Sequence, residues 1–268
     1  SGLYEQRKRG KNAAAGSGDL LRNRLHVDLE KLKKGGYLLQ NFALFVNLSD
    51  CGNPLEECLK MADLYEEELK KYEDRIRPAY CYEDIERNRR EGKISALLTV
   101  EEGGVCRGNT AFLRILYRLG VRMMTLTWNF PNELAWPNIF MPVEGEEKVG
   151  DVEFKKPEKE RGLTETGAAF LREMERLGMI VDVSHLSDAG FWDVVRLAER
   201  PFVASHSNAR AVCPHVRNLD DEMIRALAEH GGVMGLNFCP AFLEEEAEGR
   251  RENGTIAAVV AHAKHIVR

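Results

Sequence analysis

The stretch from Gly178 to Asn218, GMIVDVSHLSDAGFWDVVRLAERPFVASHSNARAVCPHVRN, constrains the fold more than any other part of the chain. It holds two short apolar runs, Met179–Val183 and Pro201–Ala204, each followed at once by Ser-His. Between them, Asp188–Glu199 carries Phe191, Val194, Val195 and Ala198 at helical spacing. This reads as one βαβ unit whose strands are predominantly apolar, as strands buried on both faces are. A right-handed crossover sets successive parallel strands side by side. His185 and His206, 21 residues apart, therefore reach the C-terminal edge of the sheet together. Active sites of α/β barrels and open α/β sheets form at that edge. Two imidazoles delivered there are candidate metal ligands. A single His after a strand is more often a hydrogen-bonding loop residue, so a carboxylate from a third strand end is needed to favour the metal.

That carboxylate follows the apolar run Ile94–Val100, which ends in Glu101-Glu102-Gly103-Gly104. The glycines allow a sharp turn or a close approach to a ligand. Glu102, adjacent to them, is the better candidate ligand, and Glu101 reads as a solvated loop acid. The remaining elements alternate. Tyr37–Leu48 is a first strand, followed by a helix over about Pro54–Ile76 whose Glu66-Glu67-Glu68 run is a solvated face. A helix over about Asn109–Leu119 leads to a strand at Arg122–Thr127. A long loop with Trp128, Asn129 and Trp136 then reaches about Gly162, and loops of that length are often lids or substrate-binding elements. Leu163–Leu177 is an amphipathic helix with Thr164 as N-cap and Gly178 past its end. A helix from Asn218–Asp221 to His230, a strand at Gly232–Phe238 and a helix at Thr255–Val267 complete the series. His262 and His265 on that last helix are expected on its surface. Six strands alternating with helices predict a parallel α/β barrel of the TIM type, a single domain over residues 1–268.

Composition narrows the function. The net charge of −5 with interleaved signs provides no basic stripe for nucleic acid. No apolar run is long enough to span a membrane. The start, SGLYEQRKRGKNAAAGSGD, reads as a flexible arm or surface loop. Six cysteines without a CxxC pair read as reduced thiols and imply a cytoplasmic setting. His26-Val27-Asp28 could chelate a metal in principle, but no buried strand precedes it and a basic LEKLKKGG follows. It reads as a surface loop or helix start.

Three segments, VEEGG at Val100–Gly104, RGLTETGAAFLREMERLGMIVDVSHL at Arg161–Leu186 and FVASHSNARAVCPHVRNLDD at Phe202–Asp221, resemble the membrane (renal) dipeptidase family of zinc peptidases in its bacterial branch. The resemblance implies a (β/α)8-like barrel with two zinc ions at the strand C-termini. It implies hydrolysis of dipeptides, a D-residue being tolerated at the C-terminal position, by a hydroxide bridging the two metals. Carried over, Glu102 resembles the carboxylate that bridges the metals, and His185 and His206 resemble the ligands of the second metal. Arg217 resembles the arginine that holds the substrate's terminal carboxylate. Trp128, with Asn129 beside it, stands where renal members carry a substrate-contacting histidine, so both join Arg217 as candidate substrate-binding residues. The family commonly forms homodimers. Its first strand ends in His-x-Asp and its eighth carries an aspartate; neither motif is found on a strand of this sequence. The expectation is therefore strands two to seven with one half of the metal site, holding at most one zinc. The competing expectations are an inactive peptide- or metal-binding remnant of the same fold, and a different hydrolase of the barrel superfamily.

Overall fold

The computed structural model describes residues 3–5, 19–139, 156–245 and 254–268. Most of the N-terminal arm and the middle of the long loop after Trp128 lie outside the described residues. Seven strands among the described residues form one parallel sheet: β1 (Leu39–Phe45), β2 (Ile76–Pro78), β3 (Ile94–Glu101), β4 (Val121–Thr125), β5 (Ile180–Asp182), β6 (Val203–Ala204) and β7 (Val233–Met234). Their order is β1-β3-β4-β5-β6-β7. β1 pairs along its whole length with β3, from Leu39 beside Ser95 to Phe45 beside Glu101. The other side of β3 is shared: β2 pairs with Ile94–Ala96, and β4 with Leu98–Glu101.

The connecting helices are α1 (Leu29–Lys34), α2 (Pro54–Lys71), α3 (Tyr82–Arg90), α4 (Thr110–Arg118), α5 (Glu165–Leu177), α6 (Asp188–Leu197), α7 (Asp221–Glu229), α8 (Pro240–Leu243) and α9 (Ile256–Ile266). Most start with a side-chain cap. Thr164 accepts from the N–H of Gly167 at the head of α5, Ser187 accepts from Gly190 at α6, and Asp220 accepts from Met223 at α7. α5 ends at Gly178, whose φ of 78° is left-handed, a conformation that costs residues with a Cβ. Phe170, Phe191 and Phe202, each buried, fill the space between helices and sheet, contributing roughly 1.5–3 kcal/mol apiece.

Several elements differ from the sequence reading. The helix expected to reach Ile76 stops at Lys71. Ile76 is instead a fully buried strand residue paired with Ile94, because edge-to-edge pairing with β3 satisfies its backbone where one more helical turn would not. Among the described residues the strand count is accordingly seven rather than six. The runs Pro201–Ala204 and Gly232–Phe238 contract to two residues each, because the chain leaves the ladder to form the turns at the sheet's edge. Asp28 caps α1, accepting from the N–H of Lys31, as the reading of a helix start requires. His262 departs from expectation. It is fully buried, its Nδ1 accepting from the Ala209 N–H at 3.1 Å and its Nε2 donating to the Leu243 carbonyl at 3.0 Å. It ties α9 to the loop after β6, which a helical periodicity count cannot show. His265 does lie outward, against Asp221.

Candidate metal centre

Parallel register aligns the ends of the strands. Glu101 at the end of β3 pairs with Thr125 at the end of β4, and Thr125 pairs with Asp182 at the end of β5. In β3 the side chains of Ser95, Thr99 and Glu101 share one face and those of Ala96, Leu98 and Val100 the other, by strand alternation. The strand continues one residue beyond Val100, so Glu101 is its last member and belongs to the polar face.

The structure thereby places Glu101, not Glu102, beside the histidines. Glu101 Oε1 lies 3.5 Å from His185 Nε2 and 3.6 Å from His206 Nε2, and the two Nε2 atoms are 2.9 Å apart. Among the described residues these three form the cluster whose ligand atoms all lie within 4.8 Å of one another. The expectation for Glu102 is corrected by backbone geometry. Glu102 has a φ of 103°, outside the regions comfortable for a residue with a Cβ, and this turn swings its side chain away from the cluster. Its carboxylate is fully buried and holds the loop: Oε1 accepts from Gly104 N–H at 2.7 Å and Asn132 Nδ2 at 2.5 Å, and Oε2 from Trp128 N–H at 2.9 Å. Nor is Glu101 a solvated loop acid. The signal that could have found it is the period of two in ISALLTVE, which assigns it to the face of Ser95 and Thr99.

Both histidines are oriented through Nδ1. His185 Nδ1 lies 2.9 Å from Asn129 Oδ1, and His206 Nδ1 lies 2.7 Å from Ser205 Oγ. The Ser205 hydroxyl donates to Asp182 Oδ2 at 2.5 Å, so its oxygen is left to accept from His206. Asn129, expected among the substrate-binding residues, is thus placed on the ring of His185. His185 itself has a left-handed φ of 72°. Its turn is held by the loop after β4, with Asn138 N–H donating to the His185 carbonyl at 2.9 Å. Trp128 lies edge-on to Phe45, with centroids 4.9 Å apart, and 6.3 Å from the His185 ring.

Arg217 is buried beside the cluster and donates from Nη2 to the His206 carbonyl at 3.3 Å. Its Nε has no partner among the described residues. Burial lowers its pKa to about 10, against the attraction of Asp182 and Glu101. Burial, reinforced by Asp182, pushes Glu101 up to about 7. Burial and the neighbouring Arg217 bring His206 down to about 4 and hold His185 well below its usual value. Both imidazoles are therefore neutral near pH 7, the form that ligates metals.

The family model for membrane dipeptidase (peptidase family M19) matches residues 8–268. The chain belongs to the membrane dipeptidase family. As a member of this family it is a metallodipeptidase. It is similar to a metallopeptidase from Rhodobacter sphaeroides, solved with a phosphinate mimic of the dipeptide L-Ala-D-Ala. The match has a TM-score of 0.83 and 26% identity, over 99% of this chain and 79% of that one. It is 32% identical over 218 residues to an uncharacterised protein encoded in the pqqA 5′ region of Klebsiella pneumoniae, covering 81% of this chain and 75% of that protein. It is 29% identical over 250 residues to the dipeptidase tcpJ of Claviceps purpurea, covering 90% of this chain and 54% of the fungal one. The parallel sheet of this dipeptidase is accordingly part of the TIM-like barrel architecture of its structural relatives. No helix among the described residues is long and apolar enough to cross a membrane.

The donor set of this dipeptidase fits a metal. With each Nδ1–H committed to an acceptor, both Nε2 atoms present lone pairs to the same point as Glu101 Oε1. Three such donors repel one another unless a cation or a proton lies between them. Two imidazole nitrogens and one carboxylate oxygen are also the ligand types zinc takes in catalytic sites.

Proposed function

We propose that this chain hydrolyses dipeptides using zinc held by Glu101, His185 and His206, with Arg217 gripping the substrate's C-terminal carboxylate. The observation that carries the reading is the convergence of one carboxylate and two Nε2 lone pairs next to a buried guanidinium with a free Nε. Zinc in such a site supplies Lewis acidity, polarising a peptide carbonyl and bringing the pKa of water towards neutrality.

The protein's own groups do the rest. Arg217 offers a planar fork that matches a carboxylate, and its burial leaves that charge poorly screened. A dipeptide anchored there has its single peptide bond within reach of the Glu101–His185–His206 cluster, since Arg217 already touches the His206 backbone. The role carried over to Glu102 by resemblance passes to Glu101, which holds an oxygen close to both imidazoles. Trp128 and Phe45 form an aromatic wall beside His185.

The test is a zinc-supplemented assay on L-Ala-D-Ala, L-Ala-L-Ala and their C-terminal amides. Cleavage of the free acids with at least a tenfold loss on the amides is expected. A zinc-loaded protein that cleaves no dipeptide would overturn the reading, and equal rates on acids and amides would remove Arg217 from it.

A further inference from the structure

One buried carboxylate outside the ligand set touches both ligand-bearing turns. Asp182 is fully buried at the end of β5 and accepts four hydrogen bonds. Oδ1 takes the N–H of Ser184 at 3.0 Å and the N–H of Ser205 at 2.9 Å; Oδ2 takes the hydroxyls of Thr125 at 2.7 Å and Ser205 at 2.5 Å. Ser184 and Ser205 are the residues immediately before His185 and His206. The two turns are also tied to each other, because the His206 N–H donates to Ser184 Oγ at 3.1 Å.

We infer that Asp182 is the positioning residue of the metal centre. Through Ser205 it fixes His206 as the Nδ1–H tautomer, and through the Ser184 and Ser205 amides it sets the spacing of the two imidazoles. This deepens the proposed zinc site and rests on it for the metal, although the tautomer claim is a property of the protein alone.

The logic is one of proton inventory. A carboxylate accepts only, so the Ser205 hydroxyl, 2.5 Å away, must point its hydrogen at Asp182. Its oxygen is then an acceptor, and the nitrogen 2.7 Å from it must carry a proton. Nε2 of His206 is left as a lone pair aimed at His185 Nε2 and Glu101 Oε1. His185 has a separate and neutral orienting group in Asn129. The two ligands thus have different Nδ1 partners, an amide oxygen for His185 and an Asp182-bound hydroxyl for His206. Removing the Ser205 hydroxyl should therefore affect one histidine and spare the other. Groups that orient a ligand's far nitrogen typically account for 10–100-fold in metal affinity.

The experiment uses Ser205→Ala, Ser205→Thr and the isosteric Asp182→Asn in the full chain. The readouts are zinc affinity by competition with a chromophoric chelator, and the imidazole tautomers by 15N NMR of the zinc-free protein at pH 7.5. For Ser205→Ala the zinc Kd should rise about 10–100-fold. The His206 tautomer should become mixed while that of His185 is unchanged, and the unfolding midpoint should shift by only about 2–4 °C. Ser205→Thr, which keeps a hydroxyl, should restore both readouts. Asp182→Asn should reproduce the tautomer change, since an amide can turn an N–H towards Ser205. A Ser205→Ala protein with the wild-type His206 tautomer, or with wild-type zinc affinity, would overturn the inference. If wild-type protein binds no zinc at all, the metal reading fails and the tautomer measurement alone decides the role of Asp182.

Discussion

Two adjacent glutamates at the end of one strand have opposite duties, and single atoms account for the difference. Glu101 continues the pleat of β3 and faces the histidines; Glu102 takes a φ of 103° and turns inward to bind two N–H groups and an amide. Their substitutions should separate. Glu101→Gln removes the anionic oxygen from the cluster and should abolish tight zinc binding and hydrolysis. It should leave stability unchanged or slightly raised, since it relieves a buried charge facing Asp182. Glu102→Gln turns an NH2 towards one of three donors and should cost about 1–3 kcal/mol in urea unfolding. Metal titration and unfolding of the two variants provide the check, and a Glu101→Gln protein that still binds zinc like wild type would sink the assignment. Arg217 was identified only through family resemblance, since an arginine in a loop is ordinarily a surface charge. Its burial and unpartnered Nε are facts of tertiary structure.

At the scale of elements, the site depends on how closely β6 and β7 approach. Gly235 donates its N–H to Ala204 and accepts from Ser207 N–H, each at 2.8 Å, so the pairing of β6 with β7 continues past the short strands on either side of the Ser205-His206 turn. A Cβ on Gly235 would lie 2.0 Å from the Ser205 carbonyl oxygen, a backbone atom that no rotamer change can move. Gly235→Ala should therefore destabilise the fold by about 1–3 kcal/mol or more. It should also displace Ser205 and lower zinc affinity, coupling a stability loss to a ligand loss. A variant with wild-type stability and metal binding would show that the turn is not fixed by this contact. The long loop after β4 is tied down in the same region. Asn138 bridges to Asp188, whose carboxylate forms a two-pronged pair with Arg210 at 2.7 and 2.8 Å. That clamp joins the loop after β4, the start of α6 and the segment that carries Arg217.

For the whole molecule, acid is the informative perturbation. Burial, with Arg217 and Arg210 nearby, lowers His215 to about 4, and its Nδ1 accepts from the Arg217 N–H at 3.1 Å. Its folded pKa is below the unfolded value near 6.5, so the stability it contributes is complete above pH 6.5 and is lost as pH falls through 4. Glu101 and Glu102, both raised to about 7, act with the opposite sign over pH 7 to 4.5, so a raw stability profile mixes the effects. The difference between wild type and His215→Gln isolates the histidine. Wild type should lose on the order of 1 kcal/mol more than the variant between pH 6.5 and 4, the half-exposed ring being partly screened. Parallel profiles would contradict the assignment. Metal adds a second lever: at zinc a hundredfold above its Kd the fold gains about 2.7 kcal/mol, so a chelator should lower the thermal midpoint by roughly 5–10 °C. A midpoint indifferent to chelator would count against a bound zinc.

The order of residues along the chain settled the parallel α/β class, the βαβ unit and the meeting of His185 with His206, because apolar strand runs, helical spacing and crossover handedness are local or nearly local rules. The capped start of α5 and its glycine stop were legible for the same reason. It did not determine which glutamate faces the histidines, although the alternation in β3 held the answer, because a one-residue difference in strand length reverses the direction of a side chain. Asp182 was visible only as a lone acid in an apolar strand, and Ser205 as half of a repeated dipeptide. Their roles depend on register between strands that the chain brings together from more than twenty residues apart. The burial of His262, the pairing of Ile76 and the unpartnered Nε of Arg217 were likewise decided in three dimensions, where the hydrogen-bonding needs of a buried group are met by whichever segment lies against it.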